Sequence, residues 1–592
     1  MRKMKALALS GLVTLSLCMG TLPVSAARSY QDKESITNTG VDLSTTQTLT
    51  VAKPSSAVST TAAKYYITGT SDPGKNLTVN GQAVEYRGQL GSWGVLVELV
   101  LGRNVFTIRN GDVSQTVVIT REKTADTVVK TTKLTAAKPT YNDMTFAGEY
   151  TLRCTAPSGA RVTATAAGQT VELEQVAATA ENGVPAVFRG TIQLEAGEID
   201  SITYTLTYQG AVSTVKSVGS LTVLEEGSQP TVAVNQHAST VYESDDMSSN
   251  FVAMLNAGAQ DKVLTFSGDL AQLSMGGWIK KEFLDLVEGD PSVENHIRSQ
   301  SWSRGEGGEY LTLQGSVPSA FKGYMNSEKV VLRFYHMKGV GNLSVKDSSL
   351  FEKARISSSE DSVTLSFYLK EGKSLLGYDV RYEEDGSIRI FFNAPPELGT
   401  EERPLSNTTV VVDAGHGGFD PGALGVLNGE GPVENDITMA HAIALQKRLE
   451  SLGATVVMSV TTDLPEDEKI VLHDRVDMTR QVEADFFISL HCNSVGGSAN
   501  DLKAKGTEVY YYENISRELS QSVLSALTEG TGRELRGCYY SNYFVTRNSL
   551  CPGMLVEMGF ISSPEEYDSL RSEDSLFATA NAVADSIIDF LA

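Results

Sequence analysis

Between residues 63 and 397 apolar and polar positions alternate in short runs, a period of two that marks half-buried strands. Runs at Tyr65–Ile67, Leu77–Val79, Trp93–Val100, Val105–Ile108 and Val117–Ile119 are separated by the turn formers Asp72-Pro73-Gly74, Asn80-Gly81 and Asn110-Gly111. Residues 63–122 are therefore predicted to form a β-sandwich. The same character returns at Tyr150–Arg153, Val162–Ala164, Ile202–Tyr208 and Leu221–Val223, which predicts a second β domain over 130–224. After the polar stretch Glu225–Pro230, residues 231–397 form a third β-rich region, with alternation clearest at Val363–Tyr368 and Ile388–Phe392.

The period changes beyond residue 405. A β-branched run, Thr408–Val412, is followed by apolar residues at helical spacing (Ile437, Ala440, Ala444, Leu445, Leu449) and by apolar runs at Phe486–Leu490 and Met554–Val556. Strand–helix alternation of this kind predicts an α/β domain over 406–592, entered through a proline-rich stretch and the linker 398–405. At the other end, basic Met1–Lys5, the apolar run from Ala6 to about Leu22 and the small-residue site Val24-Ser25-Ala26 have the form of a secretory signal peptide, 1–26. Residues 27–62, rich in Ser, Thr, Ala and Gln, predict a flexible leader. No later segment is apolar for long enough to span a bilayer. The chain is thus expected to be exported, as a secreted or cell-wall protein, and its 592 residues exceed what one core accommodates.

The candidate chemistry lies at the ends of the α/β strands. His416 sits in the glycine-rich turn Asp413-Ala-Gly-His-Gly-Gly418, which follows the first strand. His491 ends the run Phe486–Leu490, Glu557 ends Met554–Val556, and Glu434 stands just before the helical segment. Strand carboxyl ends are where ligands collect in open α/β sheets. Two neutral imidazoles and one carboxylate make a catalytic zinc site, because three protein ligands leave a fourth position open. A second, unligated carboxylate is then free to move protons.

Asp413–Gly418, Glu434-Asn-Asp436, Ser489-Leu-His-Cys-Asn493 and Val556-Glu-Met-Gly-Phe560, in that order, resemble the zinc-dependent N-acetylmuramoyl-L-alanine amidases over about 406–592. The resemblance implies a mixed, mostly parallel sheet flanked by helices. It implies His416, Glu434 and His491 as Zn2+ ligands and Glu557 as the catalytic base. The implied reaction is hydrolysis of the peptidoglycan amide between N-acetylmuramic acid and L-alanine. Weaker likenesses lie in front: residues 63–122 resemble immunoglobulin-like modules of bacterial surface proteins, and the stretch around Val241–Leu264 and Gly276–Lys280 resembles a cell-wall SH3-like barrel. These N-terminal modules are accordingly expected to bind cell-wall material, with Trp278, Trp302 and Tyr335 as candidate sugar platforms, although core packing is the commoner role of such residues.

Charge excludes one class of partner. The net charge is −23, and 405–592 alone holds 12 Lys/Arg against 28 Asp/Glu, so nucleic acid is not expected to bind. Cys154, Cys492, Cys538 and Cys551 are too few for a disulfide scaffold. A Cys538–Cys551 bridge and buried free thiols are both compatible with the sequence, the second being favoured. His441 and His473 read as surface or capping residues, and Arg475 and Arg480 as partners of nearby acids. Two rival functions remain: an inactive amidase-like wall-binding protein, against which the intact set of four stands, and a zinc carboxypeptidase, whose His-x-x-Glu spacing is absent.

Overall fold

The alternation in the first two thirds of the chain builds four β units in succession. The computed structural model describes residues 33–123, 129–176, 181–289, 295–305, 307–314, 317–340, 343–465, 467–495 and 502–592. The segment read as a signal peptide lies outside the described residues. No helix among them is long and apolar enough to cross a membrane.

In the first unit a five-stranded and a three-stranded sheet pack around Trp93, Ile67, Ile108 and Ile119, all fully buried. A six-stranded and a three-stranded sheet form the second unit around Leu152, Phe188 and Tyr204. The region 231–397, read from the sequence as one, has two cores. A seven-stranded sheet over 231–286 encloses Val241, Val263 and Ile279, whereas two four-stranded sheets over 299–393 enclose Phe334, Phe351, Phe367 and Phe392. Trp302 packs on Phe351, Phe367 and Phe392 at ring-centroid distances of 6.0–6.3 Å, and Tyr335 is buried. Both serve the core, and neither is presented as a flat platform.

The expectation of a flexible leader over 27–62 does not hold for residues 33–62. The one-turn helix Lys33–Thr37 buries Ile36 against Ala440, Ala444, Leu576 and Ala580 of the C-terminal domain. Leu49 and Ala52 are buried, and Val58–Thr60 adds a parallel strand beside Ile119–Arg121. Composition misleads here because a segment with few apolar residues needs only two or three if other domains supply the surface that receives them. The linker 398–405 is likewise folded, with Leu405 fully buried in the C-terminal core.

The C-terminal domain alternates strand and helix: β1 (Thr409–Ala414), α1 (Glu434–Ser451), β2 (Thr455–Met458), α2 (Leu472–Gln481), β3 (Phe486–Asn493), β4 (Thr507–Tyr511), α3 (Ser516–Thr531), β5 (Leu535–Tyr540), β6 (Gly553–Phe560), α4 (Pro564–Leu570) and α5 (Glu573–Leu591). Its sheet has the order β2-β1-β3-β6-β4-β5. β2, β1, β3 and β6 pair in parallel, β4 runs antiparallel to β6, and β5 is parallel to β4. One face is covered by α1, α3 and α5 through Ile437, Leu445, Leu519, Val523, Val583 and Ile587. On the other face Val411, Phe487 and Leu555 pack with Tyr310 and Phe391 of the preceding sandwich. Burial on both faces explains why β1 and β3 are continuous apolar runs instead of alternating ones.

Candidate metal and catalytic centre

β1 delivers the chain into the glycine turn, where His416 adopts φ +67°. That conformation is costly for a side-chain-bearing residue, and it is pinned from below. Arg475 of α2 donates to the carbonyls of Ala414 (2.8 Å) and His416 (2.6 Å), and it pairs with the buried Asp413 at 2.6 Å. Asp413 also accepts from Ser489 Oγ at 2.6 Å and from Ser459 Oγ. Gly415 passes so close to His491 that a Cβ there would lie 2.6 Å from both ring nitrogens.

β3 and β6 run past the ends expected of them, to Asn493 and Phe560, so His491 and Glu557 lie within strands. In the parallel ladder the two are direct partners, with a register irregularity just beyond His491. Glu434 opens α1. Its Oε1 lies 3.2 Å from His416 Nε2 and 3.2 Å from His491 Nδ1, and one nitrogen or oxygen from each of the three residues falls within 4.8 Å of the others. The Cys492 N–H donates to the same Oε1 at 3.0 Å, and the Ala423 N–H donates to Oε2 at 2.8 Å. Burial alone raises the Glu434 carboxyl, but hydrogen bonds from the two histidines hold it well below the ordinary range. Two imidazole nitrogens converging on a fixed carboxylate are a donor set that suits zinc.

Glu557 is the contrasting carboxylate. It lines the same cleft of about 350 Å³, together with His416, Glu434, His491, Leu472 and Tyr543. Its Oε2 is buried and has no hydrogen-bond partner among the described residues. Burial first, and then the charges of Glu434 and Glu508, push its carboxyl up to about 7 against the opposing pull of His491. Two carboxylates in one cleft are thus set apart by environment, one firmly ionised and one poised to exchange a proton.

Residues 410–589 match the family described as N-acetylmuramoyl-L-alanine amidase. YqiI of Bacillus subtilis is 34% identical over 188 residues, which are 31% of this chain and 85% of that protein. The chain belongs to the N-acetylmuramoyl-L-alanine amidase family. The probable cell wall amidase LytH of Staphylococcus aureus is 30% identical over 187 residues, 32% of this chain and 60% of LytH, so less than two thirds of that relative is spanned. Among solved structures, the catalytic domain of CwlV from Bacillus (Paenibacillus) polymyxa var. colistinus is 31% identical and covers 31% of this chain and 98% of its own, with a TM-score of 0.28.

Around the amidase centre two acids stand where the motifs gave no sign of them. Asp420 Oδ2 lies 3.2 Å from His416 Nδ1, the ring nitrogen opposite the one that faces Glu434. Despite its partial burial, hydrogen bonds from Lys469, the Gly422 N–H and His416 draw Asp420 down to about 2. Glu508 of β4 pairs across the sheet with Glu557 and is held by Asn493 Nδ2 (2.8 Å), Tyr510 Oη (2.7 Å) and Arg536 Nε (2.6 Å). The available signal for Asp420 was its position four residues after His416, and for Glu508 a polar residue at the start of an alternating strand. Glu430, a sequence competitor of Glu434, is exposed in its loop and apart from the two histidines.

His441 is not at the surface: it is fully buried on α1 and donates from Nε2 to the Leu570 carbonyl at 2.8 Å. His473 remains half-exposed beside Asp474. Arg475 and Arg480 do pair with acids, Asp413 and Asp379. The four described cysteines are free. Burial pushes the Cys492 thiol far above its ordinary range, so it stays protonated beside His491 and acts in packing.

Proposed function

We propose that this chain is an exported, zinc-dependent N-acetylmuramoyl-L-alanine amidase that cleaves the amide between N-acetylmuramic acid and L-alanine of peptidoglycan stem peptides. The observation that carries the reading is the convergence of His416, Glu434 and His491 in one cleft with Glu557, whose buried Oε2 has no hydrogen-bond partner among the described residues. Family membership supplies the bond. The basic-apolar start of the sequence supports export, and the acidic amidase domain supports a division of labour in which the β modules hold the wall.

His416 Nε2, His491 Nδ1 and Glu434 Oε1 would hold the metal. Zinc supplies Lewis acidity when bound, polarising a carbonyl and acidifying water to a pKa of about 7. With the metal bound, Asp420 would accept the proton on His416 Nδ1 and so leave Nε2 to the metal. Glu557, with Oε2 free, takes the proton of the attacking water and returns it to the departing α-amine of L-alanine. Arg475 fixes the backbone of the His416 turn and touches no reacting atom in this scheme.

Glu557→Gln preserves size and removes the base. Turnover is expected to fall by roughly 10²–10⁴-fold with zinc content unchanged, measured by dye release from labelled peptidoglycan alongside metal analysis. A fully active variant would refute the role of Glu557, and a loss of zinc in step with activity would make it a ligand instead.

A further inference from the structure

The row of residues that carries His491 and Glu557 does not stop at the catalytic pair. Across four adjacent strands His491, Glu557, Glu508 and Gly537 are successive register partners. Gly537 follows a register irregularity at which Arg536 is the extra residue, and this turns the Arg536 side chain back onto Glu508. With no side chain at Gly537, the ring of Tyr539, two residues on and on the same face, lies down along the strand. Its hydroxyl donates to the Arg536 carbonyl at 3.1 Å, and a Cβ on Gly537 would overlap the ring's Cζ and Oη. The residue is 43% exposed.

Tyr539 is joined to the cleft by aromatic contact. Its ring centroid is 5.7 Å from that of Tyr510, which stands 5.0 Å and edge-on from Tyr543. Tyr543, 41% exposed, lines the cleft beside Glu557. The platform lies two strand spacings from Glu557, about 10 Å. The carboxylate nearest the ring, Glu508, is already engaged by Arg536, Tyr510 and Asn493, and the half-exposed Tyr539 and Tyr543 bring hydroxyls to the surface. A pyranose ring matches it, with C–H groups on one face to lie against the aromatic ring and hydroxyls at the rim to bond.

We infer that Tyr539, laid flat over Gly537, is a stacking subsite for a sugar ring of the glycan strand, beside the reactive amide. This rests on the proposed peptidoglycan activity for its choice of ligand.

The test is calorimetric titration of the full-length protein with a peptide-free oligosaccharide of alternating N-acetylglucosamine and N-acetylmuramic acid. Tyr539→Ala is expected to raise Kd by about 10-fold or more, and Tyr539→Phe to stay near the parent. Gly537→Ala, which keeps the ring but lifts it off the strand, should behave like Tyr539→Ala. Melting temperatures serve as the control for folding. Equal affinity across the parent, Tyr539→Ala and Gly537→Ala, or no binding by the parent, overturns the subsite. Tyr539-dependent glycan binding by a protein that hydrolyses no amide would sustain the subsite while refuting the proposed activity, so the two failures are distinguishable.

Discussion

Asp420 holds the back of the His416 ring, and its carboxylate is in turn held by Lys469 and the Gly422 N–H. Removing its charge while keeping its shape should loosen the tautomer and the orientation of the His416 ring. Asp420→Asn is therefore expected to weaken zinc affinity or activity by about 10–100-fold, with a melting temperature near the parent's, as measured by competition with a chromogenic chelator. At this scale the four residues that the structure brings to one cleft stand out in the sequence because their chemistry is restrictive. Few stretches place a histidine between glycines at a strand end, or set two further polar residues at the ends of apolar runs. Asp420 and Glu508 were not legible, because the domain holds 28 acidic residues and only loop closure and strand register assign these two to the centre.

Among the elements, the strands and helices of the amidase domain follow the apolar pattern closely, and the errors fall at their ends. β3 and β6 continue past Leu490 and Val556 because a ladder between neighbouring strands sustains them after the apolar run has stopped. His441 shows a different failure. A lone polar residue on a helix reads as exposed, yet here it ties α1 to the last carbonyl of α4. Burial depresses its pKa to about 3 from the ordinary 6.5, so the folded state keeps it neutral while the unfolded state takes up a proton as pH falls. The unfolded chain binds more protons throughout that window, and stability must therefore drop as pH drops from about 6.5 toward 3. Between pH 7 and pH 5 this group alone accounts for about 2 kcal/mol. His441→Gln should flatten that part of the pH dependence, read from urea midpoints at the two pH values.

For the molecule as a whole, the closing of its parts on one another left no mark in the amino-acid pattern. Period and composition describe segments, whereas the contacts at issue join residues hundreds of positions apart. Asp568 of α4 accepts from the Leu90 N–H (2.7 Å) and the Ser92 N–H (3.1 Å) in the first β unit, and it pairs with the fully buried Arg571 at 2.6 Å. Arg571 reaches on to the Leu43 carbonyl at 2.7 Å. On the opposite side Asn393 of the sandwich donates to the carbonyls of Ala484 (3.0 Å) and Leu550 (3.2 Å). Asp568→Ala leaves a buried guanidinium without its counter-charge and should cost about 3–5 kcal/mol. Calorimetry should then show the first β unit and the amidase domain melting apart where the parent melts them together. These contacts also mean that activity is properly measured on the full chain, because the sheet face bearing Val411, Phe487 and Leu555 is completed by the sandwich. The most direct measurement is mass spectrometry of peptidoglycan digested by the zinc-loaded full-length protein. The account predicts free stem peptides with new L-alanine amino termini and glycan stripped of peptide; shortened stems still attached to the glycan would contradict it.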